Sequence, residues 1–525
     1  MPGQTPKGLK DRLFIKVILG LLALTDITLD QAEGSAVTTT LLKVTYAYSW
    51  TTVDPKLDHI IPFYWLRLSD LSDLDSAVLK AKTATDAMPV GHKVLFSWDL
   101  HREMSHHPLD ALRDPFGNPV GYTDREGRFK PYHGIWWDHG VEVVRNRFDE
   151  FFSRYAALGG QVDVMVLDFE EGFSNWHLEN KANREYGGNA ESYFLAIQND
   201  PRFEPVRQEL NFGPILTVTG GNGVTILYGS KFDSLRRESG LSSLLAVLRW
   251  STNEDYLKWN ALMQDRAAAY VNKAVYEPIR KYFPDVKMSN YGYYHYSQEF
   301  PVPDRNGHLI YKYGDGAHVG THQSYELYGW MGRVEDLKLD GTHFYTKTPF
   351  NAFRYEVNKL RAMKLSSEVP IYPWVSYKEF DDSLLRQSDL YQELIFHAGL
   401  TGVENFLFWN PTDHVATPAT PSSNALLNDC LKQLEDLIGF EDRETLVKGL
   451  VGWGDDYVLT GMRAKGRSVW RFTPKLEGEN SLESVLVRTF PATFQVGSTT
   501  VTIPEGRVFI PENIISRQGY WVIAQ

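Results

Sequence analysis

The chain of 525 residues contains a single cysteine, Cys430. No disulfide can form within it, and a helical context at 427–431 suits a small buried apolar group there. Positive charge is also short. With 54 Lys and Arg against 66 Asp and Glu, the net charge is -12, and no basic run offers phosphates a landing surface, which argues against nucleic acid as a partner. After the amino-terminal segment no stretch approaches the roughly 18 uninterrupted apolar residues of a membrane span, so no membrane insertion of the mature chain is expected. A Gly-x-Ser-x-Gly elbow is missing, which disfavours an esterase. The Gly-rich turn at 219–223 is followed by no Lys-Ser/Thr and is not a phosphate loop. Internal repeats and low-complexity tracts are absent, and nothing in the sequence sets the oligomeric state.

What is present begins with 1–36. Lys7, Lys10 and Arg12 precede an apolar stretch at 13–24, interrupted by Lys16, and Gly34-Ser35-Ala36 follows. This reads as an export signal with a small-residue cleavage site, so a secreted or periplasmic protein is expected. Hydrophobic residues at 43% and charged ones at 23% are ordinary for a soluble protein, and the length suggests one large domain plus a smaller one.

From 37 to 439 apolar strand-like runs alternate with helical periodicity. Strands are predicted at 41–50, 60–68, 93–101, 162–170, 286–294, 317–325, 369–377 and 403–410, with Pro62 confining the second to an edge or a start. Helices are predicted at about 75–84, 141–158, 256–283 (bent at Pro278), 350–363 and 388–399, with another at 425–438. The second is the clearest: Val141, Val144, Phe148, Phe151, Tyr155 and Leu158 recur at helical spacing before Gly159-Gly160 stops it. The stretch 102–137 reads as a long loop, and 173–255 as an insertion carrying a hairpin around 219–223. Short alternating runs fill 440–525. The fold class is therefore α/β, a (β/α)8 TIM-type barrel followed by a C-terminal antiparallel β domain.

The fourth strand ends in acids. Along 162–172, six apolar residues within eight lead to Asp168-Phe169-Glu170-Glu171-Gly172. Alternation puts Val164, Val166, Asp168 and Glu170 on one face and Met165, Leu167 and Phe169 on the other. Two acids facing the same way at the carboxyl end of a parallel strand sit where barrel enzymes keep their chemistry. The bland alternative is that Asp168 caps a following helix and Glu170 is merely solvated. Glycosidic cleavage needs an acid for the leaving oxygen and a second group to support the cationic centre. Repulsion between neighbouring carboxylates would keep one of them protonated. Adjacent acids on one strand do not straddle the bond. They suit a substrate that brings its own nucleophile, as a 2-acetamido sugar does.

The run Asp163-x-x-x-x-Asp168-x-Glu170 resembles the fourth-strand signature of chitinase-type barrels, with Val166 where those enzymes usually keep another Asp. The segment Val166-Leu167-Asp168-Phe169-Glu170-Glu171, with Trp176 after it, is similar to the Val-Ile-Asp-Trp-Glu-Glu segment of hyaluronidases. Gly172-Phe173-Ser174 stands in place of their Trp-Arg-Pro, and their disulfide cysteines are missing. The resemblance implies Glu170 as proton donor and Asp168 as the residue positioning the acetamido group. The eighth strand, ending Leu407-Phe408-Trp409, also resembles the closing strand of those barrels, which implies Trp409 as the floor of a subsite. The function expected is a glycoside hydrolase acting on O-glycosidic bonds of a poly- or oligosaccharide, one containing N-acetylhexosamine where the substrate supplies the nucleophile.

Two alternatives stay open. One is a retaining two-carboxylate glycosidase using Glu170 or Glu171 with Glu379; the other is a non-catalytic sugar-binding barrel. An excess of aromatics, with 14 Trp, 28 Tyr and 28 Phe, suits stacking on sugar rings as well as core filling. Trp98, Asp99, Tyr291, Tyr293, Tyr294, His322, Tyr325, Trp374, Tyr377 and Asn410 lie at or near strand ends and are candidate substrate contacts. Asp99 with His101, His106 and His107 invites a metal, but no helical i, i+4 spacing backs it; no metal and no cofactor are expected.

Overall fold

The structure, a computed structural model, describes residues 46–49, 54–97, 100–134, 136–168, 193, 196–197, 199–209, 215–219, 225–229, 266, 268–290, 320–324, 326–327, 338–339, 342–343, 349–366, 369–376, 389–409, 423–439, 443–447, 449–451, 455–476, 491–496, 499–509 and 518–525.

Eight parallel stretches follow one another along the chain. The first is Ala47–Ser49, and the second is 60–65, interrupted at Phe63. The third, fourth and fifth are Val94–Ser97, Val164–Leu167 and Lys287–Asn290. The sixth comprises 322–324 and Glu326–Leu327, the seventh 371–375, and the eighth is Phe406–Phe408. Each pairs with its successor: Ala47 with Ile60, Tyr64 with Leu95, Val94 with Val164, and Val164 with Lys287. Ser289 then bridges His322, Gln323 bridges Ile371, and Trp374 pairs with Leu407. Phe406 finally pairs back with Ala47. The pairings run a full circuit in chain order, and among the described residues every one is parallel, as strands joined by long crossovers require.

Two apolar clusters divide the strands by parity. Tyr48, Ile61, Phe63, Val94, Phe96, Val164, Val166, Tyr372, Trp374 and Leu407 pack together on the inner side. Their neighbours Ala47, Ile60, Leu95, Met165, Leu167, Ile371, Val375, Phe406 and Phe408 join the helices on the outer side. Period-two alternation thus gives both faces of each strand an apolar partner, which is why these runs are hydrophobic throughout.

Helix Asp138–Ala157 buries Val141, Val144, Phe148, Phe151 and Tyr155, the face expected from its spacing. Gly159 ends it with φ +77°, a value open to glycine at little cost. At its start, a Cβ on Gly140 would stand 1.9 Å from the Met104 carbonyl oxygen. Helix Leu100–Ser105 can approach this closely only because position 140 has no side chain. Gly140→Ala is expected to cost about 1–3 kcal/mol in a urea titration through overpacking; an unchanged midpoint would show that the two helices separate freely.

Several boundaries differ from expectation. The third strand stops at Ser97, because Leu100–Ser105 is already helical. The predicted loop 102–137 is folded: a 3-10 turn Pro108–Asp110 is followed by the antiparallel hairpin Gly121–Thr123 with Phe129–Pro131. The hairpin around 219–223 is present as Ile215–Thr219 against Thr225–Gly229. Ahead of Pro278, residues Asn272–Tyr276 form a π-turn that leads into helix Glu277–Tyr282. Proline cannot donate to the preceding turn, and the wider i→i−5 pattern absorbs that loss.

Past helix Ser423–Ile438, which buries Cys430, an antiparallel sheet runs in the order Glu444–Thr445, Tyr457–Ala464, Arg467–Pro474, Tyr520–Ala524, Gly506–Phe509. The tight turn between its two long strands has Lys465 at φ 52° and Gly466 at φ 70°, the left-handed pair that a two-residue hairpin requires. Leu459, Trp470, Phe472 and Val522 face the hairpin Ala492–Val496/Thr499–Ile503. Val458, Met462, Val469 and Trp521 face the helices.

The helix-facing side also carries polar groups. His397, wholly buried on helix Leu390–Leu400, bonds Thr460 Oγ1 through Nδ1 at 2.6 Å and Thr473 Oγ1 through Nε2 at 2.9 Å. Burial, reinforced by Arg361 and Arg471, holds its imidazole well below the ordinary value of 6.5. The unfolded chain therefore takes up a proton that the native one refuses. Stability is full above pH 6.5 and falls as pH drops through that value towards the lower native one. Half-buried His92, pulled down to about 4 by burial and by Lys287, acts in the same sense. Thermal midpoints measured from pH 8 downward should start to fall near pH 6.5, and His397→Gln should flatten that slope. A profile level to pH 5 would contradict this, since a group near 6.5 has titrated by then.

Among the described residues no helix is long and apolar enough to cross a membrane.

Candidate functional site

Asp168 prolongs the fourth strand by one ladder bond, its N–H donating to the Ser97 carbonyl at 2.9 Å. Val164 and Val166 belong to the inner cluster, and Met165 and Leu167 to the outer one. The aspartate is thus next in line on the inner face. It is partly exposed, at the carboxyl end of the strand, where Val166 one layer below is completely buried.

Two aromatic residues share that end. Trp409 continues the eighth strand, its N–H bonded to the Val375 carbonyl at 3.1 Å, and its ring rests half-buried on the inner cluster. Trp65 closes the second strand on the same face, edge-on to Phe96 at 4.9 Å and beneath the Arg67 guanidinium at 5.9 Å. Ser376 follows Trp374 along the inner row of the seventh strand. Its hydroxyl is buried and has no hydrogen-bond partner among the described residues. Sequence reasoning missed Trp65 and Ser376. The alternation Ile61, Phe63, Trp65 carried the signal for the first; a lone serine after a tryptophan carried none.

Two expected substrate contacts lie elsewhere. Trp374 is 1% exposed, with Phe63 and Phe96 at ring distances of 6.1 and 6.4 Å. It fills the interior of the inner cluster. His322 stands at the opposite, amino-terminal end of the strands. Its ring lies 4.1 Å from that of Tyr372, Nδ1 is 2.7 Å from Thr321 Oγ1, and Nε2 is 3.5 Å from Glu404 Oε2. The histidine in turn lowers the pKa of the Glu404 carboxyl. Among the described residues the sixth strand pairs from His322, which bridges Ser289, so this side chain falls at the amino-terminal end. Glu170, Glu171, Glu379, Trp98, Asp99, Tyr291, Tyr293, Tyr294, Tyr325, Tyr377 and Asn410 lie outside the described residues.

The histidine-rich segment is sorted differently from the grouping weighed in the sequence. Asp99 and the His101 side chain are outside the described residues, and His106 bonds Ser105 Oγ at 2.8 Å. His107 instead comes together with Asp110 and His139. Asp110 and His139 are 29 positions apart, a pairing that only the fold brings about.

No family model and no curated protein matches the chain. Among solved structures it is similar to a polyextremophilic β-galactosidase from the Antarctic haloarchaeon Halorubrum lacusprofundi, at 12% identity over 76% of this chain and 59% of that one, with a TM-score of 0.37. The chain therefore spans less than two thirds of that enzyme's length. It is also similar to a GH30 endoxylanase from Clostridium papyrosolvens C71, at 8% identity over 92% and 97% of the two chains, TM-score 0.32. Bee venom hyaluronidase gives 14% identity over 57% and 75%, TM-score 0.25.

Proposed function

We propose that residues 37–439 form a (β/α)8 barrel and that the chain is a glycoside hydrolase of N-acetylhexosamine-containing poly- or oligosaccharides, with Glu170 as proton donor and Asp168 as its partner. The circuit of eight parallel pairings supports the barrel. The observation that carries the function is the place of Asp168: on the inner face, partly exposed, at the carboxyl end of the fourth strand, with Trp409 and Trp65 at the same end. In this reading residues 1–36 export the protein, and 440–525 are a structural domain packed on the barrel helices.

The chemistry follows from the spacing. Glu170 stands two positions beyond Asp168, and strand alternation in the sequence expects it on the same face. The charge on Asp168 raises the proton affinity of Glu170, so the glutamic acid is the group that arrives protonated. It gives its proton to the glycosidic oxygen as the C1–O bond breaks. The substrate's acetamido oxygen closes on C1, and Asp168 accepts a hydrogen bond from the amide N–H and balances the positive charge that spreads over the new ring. Water, losing a proton to Glu170, then opens that ring and leaves C1 with its original configuration.

Purified protein offered N-acetylated and non-acetylated oligosaccharides is expected to release reducing ends from the acetylated set alone. Turnover confined to plain hexosides, and lost in Glu379→Gln, would replace this mechanism with the two-carboxylate one. Binding without any turnover would leave a sugar-binding barrel.

A further inference from the structure

We infer that His107, Asp110 and His139 form a site for a divalent transition-metal ion of the zinc type, which ties the 100–134 excursion to the start of helix Asp138–Ala157. This departs from the expectation of no metal.

The donors come from two segments. His107 and Asp110 bracket the 3-10 turn Pro108–Asp110, His107 as its N-cap. At three residues per turn, positions three apart are eclipsed, so the imidazole and the carboxylate emerge on the same side. His139 is the second residue of helix Asp138–Ala157 and is brought to them by Asp110. The Asp110 carboxylate accepts the His139 N–H at 3.0 Å and the Gly140 N–H at 2.9 Å through Oδ2, and Oδ1 stands 2.7 Å from His139 Nδ1. The three ligand atoms all lie within 4.8 Å of one another.

Holding the helix start explains part of this arrangement, since a carboxylate there satisfies orphan N–H groups. His107 Nδ1 also accepts the Leu109 N–H at 3.4 Å as cap of the 3-10 turn, but neither cap calls for the second imidazole beside it. The rings of His107 and His139 stack 5.7 Å apart at 11° beside a carboxylate that is 1% exposed, while the His139 side chain is 54% exposed. Two imidazoles and one carboxylate, with a solvent-facing side left for water, are the donor set and open geometry that zinc-type ions take. A small rotation of the two histidines closes the donors on an ion, and the proton between Asp110 and His139 leaves to solvent.

The helix containing His139 leads back to the fourth strand, so its first turn lies towards the carboxyl ends of the strands. An ion there would brace the 100–134 excursion against the start of that helix.

The test uses the full chain without an affinity tag, stripped with chelator and dialysed against Zn2+. About one ion per chain is expected by metal analysis, with a rise in thermal midpoint on loading. Affinity should fall roughly tenfold to a hundredfold in Asp110→Asn and at least as far in the double variant His107→Ala/His139→Ala. The double variant should lose little of the metal-free melting temperature, because the bonds at the helix start come from Asp110 and main-chain N–H groups, and the His107 cap of the 3-10 turn is a single 3.4 Å bond from the Leu109 N–H. Co2+ in place of Zn2+ should give a visible absorption that the double variant lacks. Absence of stoichiometric uptake by the wild type, or equal affinity in the double variant, would overturn the site and leave Asp110 as a helix cap alone.

Discussion

Glu170→Gln is expected to lower kcat on an N-acetylated oligosaccharide by roughly a hundredfold to ten-thousandfold, the range that a positioned general acid supplies. Glutamine keeps the shape but has no acidic proton, so the leaving sugar must depart as an alkoxide. The loss should therefore depend on the leaving group. An aryl glycoside with an acidic phenol needs little protonation, so its kcat/KM, which reports the bond-breaking step, should lose much less. The alkaline limb of the kcat profile, set by the Glu170 proton, should vanish in the variant. Asp168→Asn should act differently: it leaves the proton donor in place but removes the charge facing the acetamido group, so both leaving groups suffer alike. Unimpaired turnover of the natural glycan by Glu170→Gln would end the role proposed for that residue.

Much of this was legible in the sequence because period and environment agreed. The helix carrying Val141, Val144, Phe148, Phe151 and Tyr155 has a partner on one side only, and its apolar spacing shows it. The fourth strand is apolar on both faces, so its two-sided burial was readable, and the order of the parity classes followed from alternation. Legibility failed where a residue's height along a strand mattered. Trp374 and His322 were recognised as belonging to strands, yet their depth depends on where pairing begins, which neighbouring strands decide. It failed again in 102–137, where the order comes from turns and cross-chain bonds such as Leu112 N–H to Tyr132 O and Tyr193 Oη to His133 O, not from hydrophobic period. The His107, Asp110, His139 group was invisible for the same reason.

Arg471→Met is expected to destabilise the protein by about 3–5 kcal/mol, since it strips a buried carboxylate of its counter-charge. Arg471 is 2% exposed and Glu393 wholly buried; they are joined by two bonds, Nε to Oε2 at 2.8 Å and Nη2 to Oε1. Thr473 Oγ1 donates to the same carboxylate, and the guanidinium lies 4.8 Å from the rings of both Phe396 and Trp521. Removing the arginine leaves Glu393 charged in a buried setting, with Thr473 bonded to it and His397 3.9 Å away. The double variant Glu393→Leu/Arg471→Met removes both charges and should recover most of the loss, because the pair's mutual attraction is offset by the cost of burying it. Urea titrations of the two single variants, the double variant and the wild type close the cycle. A small penalty in Arg471→Met would mean that water reaches Glu393. The pair joins the C-terminal sheet to helix Leu390–Leu400, which runs directly into the eighth strand and so to Trp409. Deleting 440–525 would expose Glu393 and the Trp521-facing side of that helix together, and is expected to abolish soluble expression of residues 37–439. A folded, active 37–439 fragment would show that the sheet is an appendage.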